Sequence, residues 1–542
     1  MLQRMRISLQ DKKKRLLFFI VIAINILLCS ASIINDLHYF TFENDFNEHT
    51  HELYLAIKCI WLISVVIIEY LIFLLFVYKK VIFQRYGIIF AINTVIYGIA
   101  FVCLYPGNWG GVGDELLVYW AAKNMWIWPQ QGAMSGLVMI WQLMFYPATW
   151  MPILMQLIFT DIVFTRITGK LWSRGCKVTA VFFEVIIFSA VAMIYTYNPM
   201  RMWILTVTFL AFLAEFYFAW AENKFPRAQQ IYVCFLFCVI VCIRTETKYM
   251  LIWAPILLVL LFAHCKQIHA WKKIVMRIEM VAILSILMVS LIFGNLGGTA
   301  YRYNSLSVVS FVCPLSVILV SDDANLSGLE EEIAAINAVF PVRDLIDNPS
   351  ATNFWNGKHW IDNYEDASKT EIRAFEKAAW IIIGKNLDIF LKARCQMFIA
   401  CMPQGGIYAA SDIDAIKFWC ENNHSTSSDL YKDFDFGNSL RMTGASLLSG
   451  ISYIPLTIRR IQYSFIIPIV LLFLIFVFAI VKKKTEIVLM LMTAGIEFML
   501  MFLLIPNAAN MYFVPYYILG WVMLGGFIEW GAQKVKERQN KR

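Results

Sequence analysis

Apolar runs of about 20 residues recur along the whole chain and limit its fold more than any other feature. A run of this length crosses a bilayer as a helix, which satisfies its own backbone hydrogen bonds within the hydrocarbon. We count 12 such runs. The residues are 60% hydrophobic and only 15% charged, a composition that no soluble class of protein has. The sequence therefore predicts an all-α polytopic membrane protein with about 12 transmembrane helices.

The basic residues give the expected orientation, because Lys and Arg favour the cytoplasmic side of short loops. They cluster ahead of the first run, whereas the loop at 36–54 is acidic and has no Lys or Arg. A basic loop with Lys79, Lys80 and Arg85 is predicted to separate the second and third spans. We therefore expect a multi-pass protein of the cell membrane with both termini in the cytoplasm. The net charge of +8 lies in such short loops and does not predict a nucleic-acid partner.

The order of the spans divides the chain into three parts. Residues 1–294 form an N-terminal module of nine spans, with an outer loop at 106–147 that holds a short interfacial helix. Residues 295–462 form a mostly helical extracytoplasmic segment between spans nine and ten. Residues 463–542 form a C-terminal module of three spans and a basic cytoplasmic tail.

The segment 295–462 has helix signals of its own. Ser327 and Glu330 have the spacing of a capping box ahead of a predicted helix. A further helical run is predicted at 368–383. An apolar helix that carries Arg394, at about 389–403, is predicted to lie along the outer surface.

The stretch YPGNWGGVGDE, residues 105–115, brings two adjacent carboxylates, Asp114 and Glu115, to the start of a predicted helix beside the membrane. One interpretation is structural, because acidic residues in a first turn stabilise the helix macrodipole. The other is catalytic, because a helix N-terminus keeps a carboxylate ionised, as a general base requires. The two interpretations are compatible.

Three cations, Arg201, Arg244 and Lys248, are predicted at the extracytoplasmic ends of spans. They either reach lipid phosphates or pair with Glu246, or they hold a phosphate presented by a lipid, for which arginine is well suited. Five further acids occur within the predicted spans, where we expect them to form buried networks: Glu69, Asp161, Glu184, Glu215 and Glu497.

Four stretches resemble polytopic glycosyltransferases of the GT-C superfamily, chiefly bacterial members: YPGNWGGVGDE, RTETKYML, NSLSVVSFVCPLSVIL and EKAAWIIIGKNLDIFLKARC. The chain differs from that family in its acidic doublet, where many members have one acid. It also differs at Asn510-Met511-Tyr512, where the family often has an Arg-Tyr pair in the last outer turn.

The resemblance implies a GT-C-like fold and an inverting transfer of sugar from a polyprenyl-phosphate-linked donor. The acceptor would be a cell-envelope glycan or glycolipid at an extracytoplasmic site among membrane lipids. Nothing in the residues themselves requires a metal or other cofactor. The resemblance implies that Asp114 or Glu115 is the base and that Arg244 stabilises the leaving phosphate with Lys248 or Arg201, beside Glu246. Trp109 and Trp120 stack on the sugar or anchor the loop.

Two other functions fit the same pattern. A polysaccharide polymerase or ligase also has about 12 spans and a large outer loop, and it relies on outer arginines rather than on an acidic base. A flippase or other transporter of lipid-linked glycans would move its substrate without either carboxylate.

Overall fold

The computed structural model describes residues 12–104, 113–128, 132–196, 201–266, 271–298, 306–353, 367–402, 461 and 463–540. Within these ranges the regular structure is helical, and the one isolated β-bridge joins Asn353 to Asn507. The first part of the chain forms the helices α1 Lys12–Tyr39, α2 Thr50–Leu104, α3 Gly113–Lys123, α4 Ala133–Leu143, α5 Met151–Ser173, α6 Lys177–Ile187, α7 Ala190–Thr196, α8 Arg201–Glu222, α9 Arg227–Ile243, α10 Met250–His264 and α11 Trp271–Leu287.

The described residues of the second part form five helices in the segment predicted to be extracytoplasmic and three helices after it. These helices are α12 Leu306–Leu319, α13 Glu330–Val339, α14 Val342–Asp347, α15 Lys369–Lys385, α16 Leu387–Ala400, α17 Ile466–Val481, α18 Thr485–Leu504 and α19 Val514–Gln539. A 3-10 turn, Glu246–Tyr249, leads into α10, and another, Asn510–Phe513, leads into α19. Helix α11 continues as a π-helical stretch, Met288–Phe293.

Seven helical stretches in the described part of the chain are long and apolar enough to cross a membrane: Thr50–Leu71, Met151–Ser173, Arg201–Glu222, Glu246–His264, Trp271–Leu296, Thr485–Leu504 and Met511–Gln539. Shorter apolar helices accompany them. The architecture is that of an all-α, multi-pass membrane protein, as the sequence predicts. The count of 12 spans stays a prediction.

Helix α2 is continuous for 55 residues through the region where a basic loop was expected. The stretch from Lys79 to Arg85 has no Gly or Pro, and Lys and Arg are good helix formers, so charge alone does not end a helix there. The loop expected there between spans two and three is therefore part of a helix. Trp61 and Phe101, in the two halves of α2, both pack in one hydrophobic cluster.

The apolar core is divided into three clusters. The largest is built mainly from α5, α6, α8, α9, α10, α18 and α19. A second cluster joins α1 and α2 to α3 and α4. A third lies between α12, α13, α15 and α16, so the described part of the extracytoplasmic segment has its own core.

The last helix supplies the N-terminal cap of α6. Glu529 accepts hydrogen bonds from the backbone N–H of Val178 at 3.4 Å and of Thr179 at 3.2 Å, and from the Thr179 hydroxyl at 2.7 Å. The first N–H groups of a helix have no partner within it, so a carboxylate at this end satisfies them and complements the macrodipole. This cap fixes α19 along α6, against which it packs.

The capping box predicted at Ser327 and Glu330 is wrong. Helix α13 begins at Glu330 with Leu329 as its N-cap residue and no side-chain cap. Gly328 has φ of 65°, and this left-handed turn removes Ser327 from the capping position. A complete capping box forms instead at α15, between Ser368 and Glu371.

Candidate functional site

The acidic pair begins helix α3, as the sequence predicts. Both Asp114 and Glu115 lie in its first turn, and the Glu115 side chain is buried, with 4% of its surface exposed. The preceding turn, 105–112, lies outside the described residues together with Trp109. A carboxylate at this position feels the positive end of the helix dipole, which favours its charged form.

Contacts from distant parts of the chain hold α3 in place. The Asn47 amide donates to the carbonyl oxygens of Met125 at 2.7 Å and Leu296 at 2.9 Å. Gly298 has φ of 73°, and a Cβ there would lie 2.3 Å from the carbonyl oxygen of Phe46. Only glycine lets the chain pass so close to the loop between α1 and α2. Helix α3, which carries the two acids, is therefore held in place by tight packing against these segments.

An aromatic group lies at the far end of the same helix. Trp126 is buried and stacks on Phe46, with ring centroids 4.6 Å apart. Trp120 meets both rings edge-on but keeps 44% of its surface exposed. Such a ring is available to a sugar or to a lipid headgroup.

Arg244 is buried beside a carboxylate, which was one of the two predicted alternatives. Its Nε donates to Glu246 Oε2 at 3.1 Å, and Nη2 donates to the other oxygen of the same carboxylate. Nη1 donates to the sulfur of Met202 at 2.9 Å, and the guanidinium lies 5.2 Å from the centre of the Tyr512 ring. Burial alone would lower the pKa of Arg244, but the negative charge of Glu246 raises it by a larger amount. The pKa is therefore above its ordinary value, and the guanidinium stays charged.

The other two predicted cations differ in their surroundings. Arg201 is half-buried, and its positive charge acts on the Glu246 carboxylate. Lys248 is exposed. The structure therefore brings Arg201, Arg244 and Glu246 together and leaves Lys248 at the rim.

Sequence reasoning gave no role at this site to Glu497. This residue is 3% exposed on α18, and the charges of Arg244 and Glu246 act on it. Neither of its carboxylate oxygens has a hydrogen-bond partner among the described residues. The available signal was an acid inside an apolar run, but nothing in the sequence paired it with an arginine more than 200 positions away.

The turn at 505–513, between α18 and α19, is where the segment predicted to be extracytoplasmic meets the membrane helices. Arg394 donates from Nη1 to the carbonyl oxygen of Ile505 at 2.7 Å and from Nη2 to that of Ser310 at 2.5 Å. Ser310 Oγ donates to Leu504 at 2.7 Å, and Ala508 N–H donates to Thr352 at 2.9 Å. Three of the four stretches that carry the family resemblance therefore meet around one turn, since Arg244 contacts Tyr512 there.

The expectation that α16 lies along the outer surface stays a prediction, and the position of Arg394 shows how the helix packs. The side chain is 2% exposed, although Lys392 on the same helix is exposed. Burial lowers the pKa of Arg394 to about 10, which still leaves it charged at neutral pH. One face of α16 is thus packed inward, where its arginine serves as a hydrogen-bond donor to backbone.

The acidic helix and the buried arginine belong to different hydrophobic clusters. Residues of α3 pack in the second cluster, while Met202 and Tyr512, which contact Arg244, pack in the first. Helix α4 contacts both α3 and α9.

No group of three or more His, Cys, Asp and Glu side chains arranged to hold a metal occurs in the part of the chain that the structure describes. Comparisons with protein-family models, with curated proteins and with solved structures find no match for this chain.

Proposed function

We propose that this protein is a membrane glycosyltransferase that moves a sugar from a polyprenyl-phosphate donor to a cell-envelope glycan or lipid-linked acceptor on the outer face. The observation that carries the proposal is the buried guanidinium of Arg244 at the junction of the RTETKYML turn and the turn at 505–513. Three of its five N–H donors are used within the described residues, so two can turn to a phosphate. Helix α3, which begins with the acidic turn, and helix α9, which ends at Arg244, both contact α4.

The proposed reaction is a single inverting displacement. The acceptor hydroxyl oxygen attacks the anomeric carbon and forms the new glycosidic bond. Asp114 or Glu115 takes the hydroxyl proton. The bond from the anomeric carbon to the phosphate oxygen breaks, and its electron pair leaves with the polyprenyl phosphate. Alignment of acceptor and donor in one site supplies a large part of the rate.

The cations stabilise the leaving group. Negative charge grows on the phosphate as the bond breaks, and a fixed guanidinium in a water-poor setting stabilises it strongly. Glu246 holds Arg244 by both carboxylate oxygens and acts as a positioning residue. Arg201 adds positive charge nearby, and Lys248 is free to reach the phosphate from the rim.

A complementation experiment tests the proposal. Cells that lack the protein would be complemented with the wild type, Asp114→Asn, Glu115→Gln or the double variant, and the sugar composition of their surface glycans would be measured. We expect deletion to remove one sugar and the double variant to fail to restore it at normal protein level in the membrane. Full restoration by the double variant would refute the assignment of the base.

A polysaccharide polymerase or ligase is the second candidate, and one observation favours it. Two buried arginines, Arg244 and Arg394, flank the turn at 505–513, while the acidic helix packs in another cluster. An enzyme that relies on arginines would use this turn without Asp114. Shortened glycan chains of unchanged composition in the deletion strain would identify this function.

A further inference from the structure

A second group of polar side chains lies apart from the acidic turn and from Arg244, between α2, α5 and α6. Asp161 on α5 is buried, with 4% of its surface exposed, and Glu184 on α6 is half-buried. Each carboxylate is on an apolar helix, and Asp161 is on one long enough to cross a membrane. Ionisable residues in such places are costly and usually functional.

Hydroxyl groups hold the Asp161 carboxylate on both sides. Thr94 Oγ1 donates to Oδ2 at 2.6 Å, and Thr165 Oγ1 donates to Oδ1 at 2.9 Å. Asn93 Nδ2 in turn donates to Thr165 Oγ1 at 3.3 Å. The amide of Asn93 is therefore fixed with its nitrogen toward Thr165 and its oxygen turned away.

Buried oxygen atoms surround the second carboxylate. Thr168 and Asn93 lie within hydrogen-bonding reach of Glu184. Asn93 Oδ1 and Glu184 Oε1 are buried and have no hydrogen-bond partner among the described residues, and no well-formed hydrogen bond reaches the buried Thr168 Oγ1 there. Asn93 and Thr168 are only 1% and 2% exposed. Buried oxygens of this kind are rare in folded proteins and indicate a missing partner.

The lack of a positive charge beside the two acids also indicates a missing partner. The charge of Asp161 acts on Glu184, and no basic side chain of the described residues acts on either of them. Two other acids within the helices have partners: Glu215 forms an ion pair with Arg166, and Glu69 accepts from Asn25. Two ionised carboxylates in a medium of low polarity need a positive partner.

We propose that Asp161, Glu184, Asn93 and Thr168 form a binding site for a hard metal cation, Na⁺ or Ca²⁺, within the helix bundle. Carboxylate, amide and hydroxyl oxygens are the ligands that such cations prefer. A bound cation neutralises the two acids and provides the partner that the three oxygens lack. It also ties α2, α5 and α6 together, independently of the sugar transfer proposed above.

The test is thermal unfolding of the purified full-length protein in detergent, followed by tryptophan fluorescence. The wild type would be titrated with NaCl or CaCl₂ against choline chloride and KCl at constant ionic strength. We expect a saturable rise in Tm with one of the two cations. Glu184→Gln and Thr168→Val should weaken its apparent affinity about tenfold or more. Glu69→Gln, which changes an acid outside the site, should keep the wild-type affinity.

Direct binding of radioactive sodium or calcium to the wild type keeps the test decisive if a variant does not fold. Binding near one cation per chain, lost in Glu184→Gln, supports the site. An equal Tm in all salts, with no tracer bound, would show that protons alone neutralise the acids and would overturn the proposal. A cation effect that persists unchanged in Glu184→Gln and Thr168→Val would also overturn it, because the cation would then bind elsewhere.

Discussion

Arg394 Nη1 donates a hydrogen bond of 2.7 Å to the carbonyl oxygen of Ile505, a residue 111 positions further along the chain. Its Nη2 donates to the carbonyl oxygen of Ser310, so one guanidinium joins α16, α12 and the end of α18. A charged donor to a buried carbonyl contributes about 1.5–3 kcal/mol. This side chain is therefore one of the contacts that hold α12 and α16 against the end of α18.

Replacement of Arg394 by methionine should therefore lower stability. The change leaves two buried carbonyl oxygens without their donor, and we expect a loss of about 2–4 kcal/mol. Thermal unfolding in detergent measures it. Lys392→Met is the matched control on the exposed face of the same helix and should leave the Tm within error. Equal Tm values for the two variants would contradict the structural role of Arg394.

Replacement of Arg244 by lysine should abolish most activity with little loss of protein. Lysine keeps the charge but cannot bind Glu246 through two parallel hydrogen bonds or present a planar fork to phosphate. We expect a fall of about 10²- to 10³-fold in sugar transfer, the range seen when one stabilising donor is removed. The measurement is incorporation of the missing sugar into surface glycan by complemented cells.

Arg227→Lys is the control for that change. Arg227 is exposed at the other end of the same helix, α9, and its replacement should leave transfer intact. Normal transfer by Arg244→Lys would remove this arginine from the mechanism.

Replacement of Glu529 by glutamine should loosen the start of α6. The carboxylate caps the N–H groups of Val178 and Thr179, and loss of such a cap costs about 1 kcal/mol. Hydrogen exchange of the peptide that contains residues 177–181 should accelerate several-fold. Glu537→Gln is the control, because Glu537 lies exposed on the same helix, in an ion pair with Lys534 that contributes little to stability. Unchanged exchange in Glu529→Gln would show that the cap is not needed.

The capping box of α15 predicts a dependence on pH. The hydroxyl and backbone of Ser368 lower the pKa of Glu371, so the unfolded helix start binds its proton more readily than the folded one. The stabilisation is therefore present above the unfolded pKa of Glu371 and is lost as the pH falls through the folded pKa. Hydrogen exchange at the start of α15 should differ between the wild type and Glu371→Gln at neutral pH, where only the wild type has the charged acceptor, and should converge in acid. A difference that persists in acid would contradict this origin.

Local patterns predicted the helices well, and contacts between distant residues could not be predicted. The span expected at 203–220 is α8, Arg201–Glu222, because an apolar run of that length has one stable form in a bilayer. The proximity of Arg244 to Tyr512 depends on how whole helices pack, which no local pattern specifies. Ser368 and Glu371 show the same spacing as Ser327 and Glu330, yet a left-handed glycine decides which pair forms a box.

The cap that Glu529 places on α6 has a consequence for biosynthesis. The ribosome adds Val178 some 350 residues before Glu529, so α6 is synthesised before its capping carboxylate has been translated. The first turn of α6 must remain open, or borrow a temporary partner, until the last helix is inserted. Chains that stop before α19 will therefore carry an unfinished helix start, which quality-control proteases can recognise.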